Sequence, residues 1–89
     1  MLFAVICHDK PGHLQVRVDT RTAHLGYIEA TGNVKMAGPL MKDGAMCGSL
    51  IVLEADSLGA AEAWAAADPY KAAGLFEDVS VIEWKKVIG

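Results

Sequence analysis

The sequence predicts a small α+β domain, with four antiparallel strands carrying two helices on one face in the order β-α-β-β-α-β. Three observations predict it. Apolar runs of strand length stand near the start, the middle and the end of the chain. Two segments between them have helical spacing or composition. The whole is 89 residues, the size of one domain spanning 1–89, with no linker and no repeat. That order is the split-βαβ, or ferredoxin-like, pattern.

Leu2 to Cys7 is a continuous apolar run ended by His8-Asp9-Lys10-Pro11-Gly12, as expected of a buried strand. His13 to Thr31 reads as a helix. Leu14, Val18, Leu25 and Ile28 fall at helical spacing and are expected to form its core-facing stripe. Thr20 and Thr22 predict irregular first turns, and Gly32-Asn33 closes the helix. Val34 to Lys42 is a second strand, interrupted by Gly38-Pro39. Proline gives no ladder donor, so this strand lies at an edge or bulges there. Asp43-Gly44 turns the chain into a third strand, Cys47 to Glu54, completing a hairpin. Asp56-Ser57 offers a cap to an alanine-rich helix, Leu58 to Ala67. Asp68-Pro69 interrupts it, Tyr70 to Gly74 forms a short helical turn, and Phe76 to Val87 is the last strand.

Hydrophobic residues make up 53% of the chain, more than a small monomer needs. Alanine accounts for part of this, but the strands account for more. Phe3, Val5 and Cys7 point one way and Leu2, Ala4 and Ile6 the other; Ile51 and Leu53 oppose Leu50 and Val52. An antiparallel sheet with one wet face alternates apolar and polar residues. Here both faces are apolar and helices cover only one. A second copy packed sheet to sheet is expected to cover the other, giving a homodimer.

The net charge is −3 and the basic residues are scattered, which argues against a nucleic-acid partner. No apolar run approaches the roughly 20 residues of a membrane span. The first residues lack the basic region of a signal peptide. Two cysteines, Cys7 and Cys47, in such a chain predict reduced, buried, inert thiols and a cytoplasmic location. The histidines and cysteines show no metal-ligand spacing, and there is no phosphate loop or dinucleotide fingerprint. No metal and no cofactor is expected.

His24 is the first candidate for chemistry. At helical spacing it shares a polar-to-aromatic face with Arg17, Thr20, Tyr27 and Thr31, and an imidazole accepts and returns protons near neutral pH. The alternative is a surface histidine that only bonds its neighbours. Asp68, just before Pro69, is either an N-cap of the following turn or the partner that orients an imidazole, and a carboxylate can do both. Gly38 and Pro39 either admit a ligand close to the backbone or mark an edge bulge. His8 and Asp9 line the same cavity or merely begin a loop. Tyr70 donates to a ligand or packs.

On these residues the chain resembles the YCII-related (YciI-like) family over nearly its whole length. The segments that carry the likeness are Asp9-Lys10-Pro11-Gly12, Arg21-Thr22-Ala23-His24-Leu25-Gly26-Tyr27, Ala37-Gly38-Pro39-Leu40, Gly48-Ser49-Leu50-Ile51-Val52, Ala67-Asp68-Pro69-Tyr70 and the strand of Trp84. Where the family's segment often has proline before Ala-His, this chain has Thr22. The resemblance implies the dimeric α+β barrel form of the fold and a site at His24 and Asp68. It also implies a relative branch that eliminates HCl from a chlorinated hydroxyhydroquinone, and a likeness of fold to muconolactone isomerases, which move protons on lactones.

The expected function is therefore proton transfer on a small cyclic or aromatic metabolite, by an isomerase or dehydrochlorinase-like lyase. His24 would be the base or acid and Asp68 its orienting partner. Arg21, Gly38, Pro39, Tyr70, His8 and Ser49 would line the substrate. The rival expectation is a non-catalytic small-molecule-binding or accessory domain that uses the same cleft.

Overall fold

Turn and cap chemistry sets the boundaries of the elements. The computed structural model describes residues 1–89 as β1 (Leu2–Asp9), α1 (Leu14–Thr31), β2 (Val34–Lys42), β3 (Ala45–Glu54), α2 (Leu58–Ala66), α3 (Pro69–Ala72) and β4 (Phe76–Trp84). Gly32, at φ 67°, ends α1 by donating its N–H to the Ile28 carbonyl, which is the left-handed cap that glycine tolerates. Between Lys42 and Ala45, Asp43 and Gly44 both have positive φ, 51° and 78°. A two-residue hairpin of that kind matches the twist of its strands. Ser57 caps α2 by accepting from the Ala60 N–H at 3.1 Å.

The strands form one antiparallel sheet in the order β2-β3-β1-β4, with the helices on one side. This is the ferredoxin-like α+β arrangement that the sequence predicts. β2 is an edge strand, so Pro39 costs the sheet little. Its register shifts fall between Val34 and Met36 and between Leu40 and Met41, not at Gly38-Pro39. β4 stops at Trp84, earlier than the sequence suggests.

The core lies between sheet and helices. Phe3, Val5 and Cys7 of β1 and Ile51 and Leu53 of β3 meet Ala61, Trp64 and Ala65 of α2, with Tyr70, Leu75 and Phe76 closing the end. Gly48 is required where β3 crosses β1, because a Cβ there would stand 2.1 Å from the Cys7 carbonyl oxygen. The opposite sheet face carries exposed Met36, Leu50, Ile82 and Trp84.

α1 departs from expectation. It is regular from Leu14 onward. Leu14, Val18 and Leu25 are exposed, and of the expected stripe only Ile28 turns partly inward. The residues that α1 buries are Arg17 and His24. The helix is rotated so that a polar face meets the sheet. That rotation is affordable only because each buried polar group finds a partner, as burial of an unpaired charge would cost several kcal/mol.

Candidate functional site

Arg17 and His24 lie seven residues apart, two turns of helix, and so project from one side of α1. The segment that follows α2 supplies what they meet. Asp68 takes an extended conformation before Pro69, and its Oδ1 accepts the Tyr70 N–H at 2.9 Å, capping α3. The same oxygen accepts from His24 Nδ1 at 2.9 Å. Both partners are buried; Asp68 is 1% exposed and His24 6%. An ionised carboxylate only accepts, so the proton of the neutral imidazole sits on Nδ1 and Nε2 carries the free lone pair. His24 Nε2 has no protein partner, and His24 lines a cavity of about 200 Å³ between α1, β2 and β3. An engineered cavity of about 150 Å³ is enough to hold benzene.

A second buried pair stands beside the first. Arg17 grips Asp9 with two bonds, Nε to Oδ2 at 2.7 Å and Nη2 to Oδ1 at 2.8 Å, and Nη2 also donates to Ser49 Oγ at 2.9 Å. Burial opposes the charge on the guanidinium, but the bonds and the field of Asp9 outweigh it, and the net shift is upward. The Tyr70 ring joins the two pairs. It stacks on the His24 imidazole, with centroids 4.0 Å apart and planes 19° from parallel. The Arg17 guanidinium carbon lies 4.7 Å from the same ring's centroid. Burial raises the Tyr70 phenol, against the pull of Arg17, so it remains a neutral donor at ordinary pH.

The structure brings most of the expected residues together. His24, Arg21, Gly38, Pro39, Ser49 and Tyr70 all line the cavity, and Asp68 stands directly behind His24. Arg21 is exposed. Ala37, Met46, Ile51, Leu25 and Ile28 supply apolar wall. His8 does not join them. It is exposed and bonded through Nδ1 to Asp78 of β4 at 2.8 Å. It pairs in register with Gly48 and Asp78, and strand alternation sends its side chain away from the helices while its neighbour Asp9 meets Arg17. Sequence reasoning places Arg17 on the His24 face but gives it no part in the site. The seven-residue spacing from His24 was read, but the competing apolar stripe of Leu14, Val18 and Leu25 hid that this face turns inward. Among His, Cys, Asp and Glu side chains, no group of three is placed to hold a metal ion.

A four-stranded antiparallel sheet with helices on one face, and a buried imidazole–carboxylate pair at the wall of a small cavity, define a ferredoxin-like α+β protein with a polar pocket under its first helix. The chain belongs to the YCII-related domain family, whose pattern it matches over residues 1–85. It is 41% identical to protein YciI of Escherichia coli, across 98% of this chain and 99% of that protein. It is 32% identical to a protein of Haemophilus influenzae over the same shares. Among solved structures it is similar to the 5-chloro-2-hydroxyhydroquinone dehydrochlorinase of Burkholderia phenoliruptrix AC1100, in complex with 2,5-dihydroxybenzoquinone. The TM-score is 0.86 at 37% identity, covering 96% of this chain and 94% of that one. An antibiotic biosynthesis monooxygenase shares the fold alone, with a TM-score of 0.61 at 10% identity over 99% and 100% of the two chains. No helix is long and apolar enough to cross a membrane.

Proposed function

We propose that this chain is a small, cofactor-independent enzyme that moves a proton on a hydroxylated single-ring molecule, as an isomerase or a dehydrochlorinase-like lyase. The observation that carries the reading is the 2.9 Å bond from His24 Nδ1 to Asp68 Oδ1 at the wall of a ring-sized cavity. Asp68 holds the imidazole in one tautomer and would steady the imidazolium. Nε2 is then the base. On a chlorinated hydroxyquinol, Nε2 takes a ring hydroxyl proton and returns it to the carbon bearing chlorine, giving the keto tautomer. Loss of a second hydroxyl proton forms the quinone and expels chloride with its bonding pair, for a net loss of HCl. Arg21 would draw the anionic form of the ring toward the cavity, and Gly38 and Pro39 would bound the ring plane. The likeness to a dehydrochlorinase at 37% identity supports this chemistry.

The test is chloride release from 5-chloro-2-hydroxyhydroquinone, followed with the native protein and with His24→Ala. The variant is expected to stay folded and to lose roughly 10²–10⁴ in turnover, the usual contribution of a general base. Unchanged turnover in His24→Ala would remove the imidazole from the mechanism.

We also infer a homodimer formed through the open sheet face. Met36, Leu50, Ile82 and Trp84 are each more than a third exposed on that face. A contiguous apolar sheet left in water is an aggregation hazard, and a second copy of the same face is self-complementary by two-fold symmetry. The two free thiols suit a reducing compartment such as the cytoplasm.

A further inference from the structure

Ser49 stands at an unusual point in the hydrogen-bond network. Its Oγ accepts from Arg17 Nη2 at 2.9 Å. A guanidinium has donors only, so the Ser49 hydrogen cannot lie along that bond and must find an acceptor elsewhere. The protein offers none: Ser49 Oγ makes no other hydrogen bond, either to its β1 neighbour Cys7 or to Pro39 opposite it on β2. The side chain is buried, with 3% of the residue exposed, and it lines the cavity that His24 also lines.

Arg17 is held rigidly behind it. Asp9 engages Nε and Nη2 of the fork, which fixes the guanidinium in place at the cavity wall that Arg17 also lines. A hydroxyl that accepts from a cation becomes a stronger donor through its own hydrogen, because the bonds polarise one another in a low-dielectric interior. Tyr70 brings this donor's cation and the His24 imidazole against one ring. The cavity wall therefore carries two polar groups of opposite kind, an acceptor at His24 Nε2 and a charge-backed donor at Ser49.

We propose that Ser49 is the oxyanion donor of this site, polarised by the Arg17–Asp9 pair, and that the ligand class is a ring bearing an enolate, phenolate or quinoid oxygen. The inference deepens the proposed function and rests on the same cavity. Ser49 touches the ligand, Arg17 backs it from the same cavity wall, and Asp9 is a positioning residue that acts through Arg17. As charge develops on a ring oxygen during proton transfer, a preorganised donor of this kind stabilises it without having to reorient.

The experiment titrates native protein, Ser49→Ala, Ser49→Thr and His24→Ala with 2,5-dihydroxybenzoquinone, an anion at neutral pH, reading affinity and the absorption band of the bound ring. Ser49→Ala is expected to bind roughly 10- to 100-fold more weakly, the usual worth of a hydrogen bond to a charged group, and to lose the band shift seen with native protein. Ser49→Thr keeps the hydroxyl and should restore both. Native-like affinity and band in Ser49→Ala overturns the proposal. So does failure of native protein to bind the anion, or a loss in Ser49→Thr equal to that in Ser49→Ala. Hydroxyl-dependent binding in a protein whose turnover does not depend on His24 would sink the proton-transfer reading and leave the oxyanion site standing.

Discussion

Asp68 serves two structures with one oxygen, since Oδ1 accepts both the Tyr70 N–H of α3 and the His24 imidazole. The two roles separate by substitution. Asn caps a helix about as well as Asp, whereas Ala costs about 1 kcal/mol of cap. Asp68→Asn is therefore expected to melt close to the native protein in urea, and Asp68→Ala about 1–2 kcal/mol lower. Both should lose turnover, because neither supplies the negative charge that steadies an imidazolium. Cys7 makes a second prediction at this scale. Burial pushes its thiol up from 9.0 to about 12, with Asp68 adding to the rise and Arg17 opposing it. A folded-state value above the unfolded one gives stability that is complete below pH 9 and is lost as pH climbs toward 12. The upward shifts of Tyr27 and Tyr70, both led by burial, act in the same direction. Urea midpoints should fall on the alkaline side, less steeply in Cys7→Ala. In the native state near pH 8, Cys7 should also resist alkylation until the protein unfolds.

At the scale of elements, α1 is the helix whose inward face carries buried polar groups, Arg17 and His24. Its outward apolar residues contribute little to the core, so Val18→Gln is expected to change stability by less than about 0.5 kcal/mol. Arg17→Met should cost far more, about 3–5 kcal/mol, because it strands Asp9 as a buried charge without a partner. Urea denaturation of the two variants checks both, and a mild Arg17→Met would mean that Asp9 reaches water. The strands were easier to read than this helix. β2 was legible to the residue; the missing N–H of Pro39 left an edge or a bulge, and the sheet shows the edge. The orientation of α1 was not legible. Leu14, Val18, Leu25 and Ile28 describe an apolar stripe, and nothing local reveals that the pull of Asp9 on Arg17 and of Asp68 on His24 overrides it. Those carboxylates come from 8 and 44 residues away in sequence. His8 was misplaced because strand alternation puts either His8 or Asp9 on the helix side, and Asp9 goes with Phe3, Val5 and Cys7, the residues of β1 that meet the helices.

For the molecule as a whole, the sheet has one face covered by its own helices and one apolar face left open. The expected outcome in sedimentation equilibrium is a dimer. Ile82→Glu on the open face should shift it toward monomer or toward aggregation, since it buries an unpaired carboxylate at the proposed interface. An Ile82→Glu protein as dimeric as the native one would place the interface elsewhere.

The sequence by itself determined the order of elements, their turns and caps, the two-faced strands and the pairing of His24 with Asp68 as candidates. These are properties of neighbouring residues and of periodicity, or of a family pattern written along the chain. Only the tertiary structure decided which face of α1 turns inward, that Arg17 and Asp9 are buried together, that His8 points away, and that Ser49 is left with a hydrogen to give. Each depends on partners distant in sequence. A buried charge is tolerable only where a specific counter-group reaches it, and that reach exists only once the chain is folded.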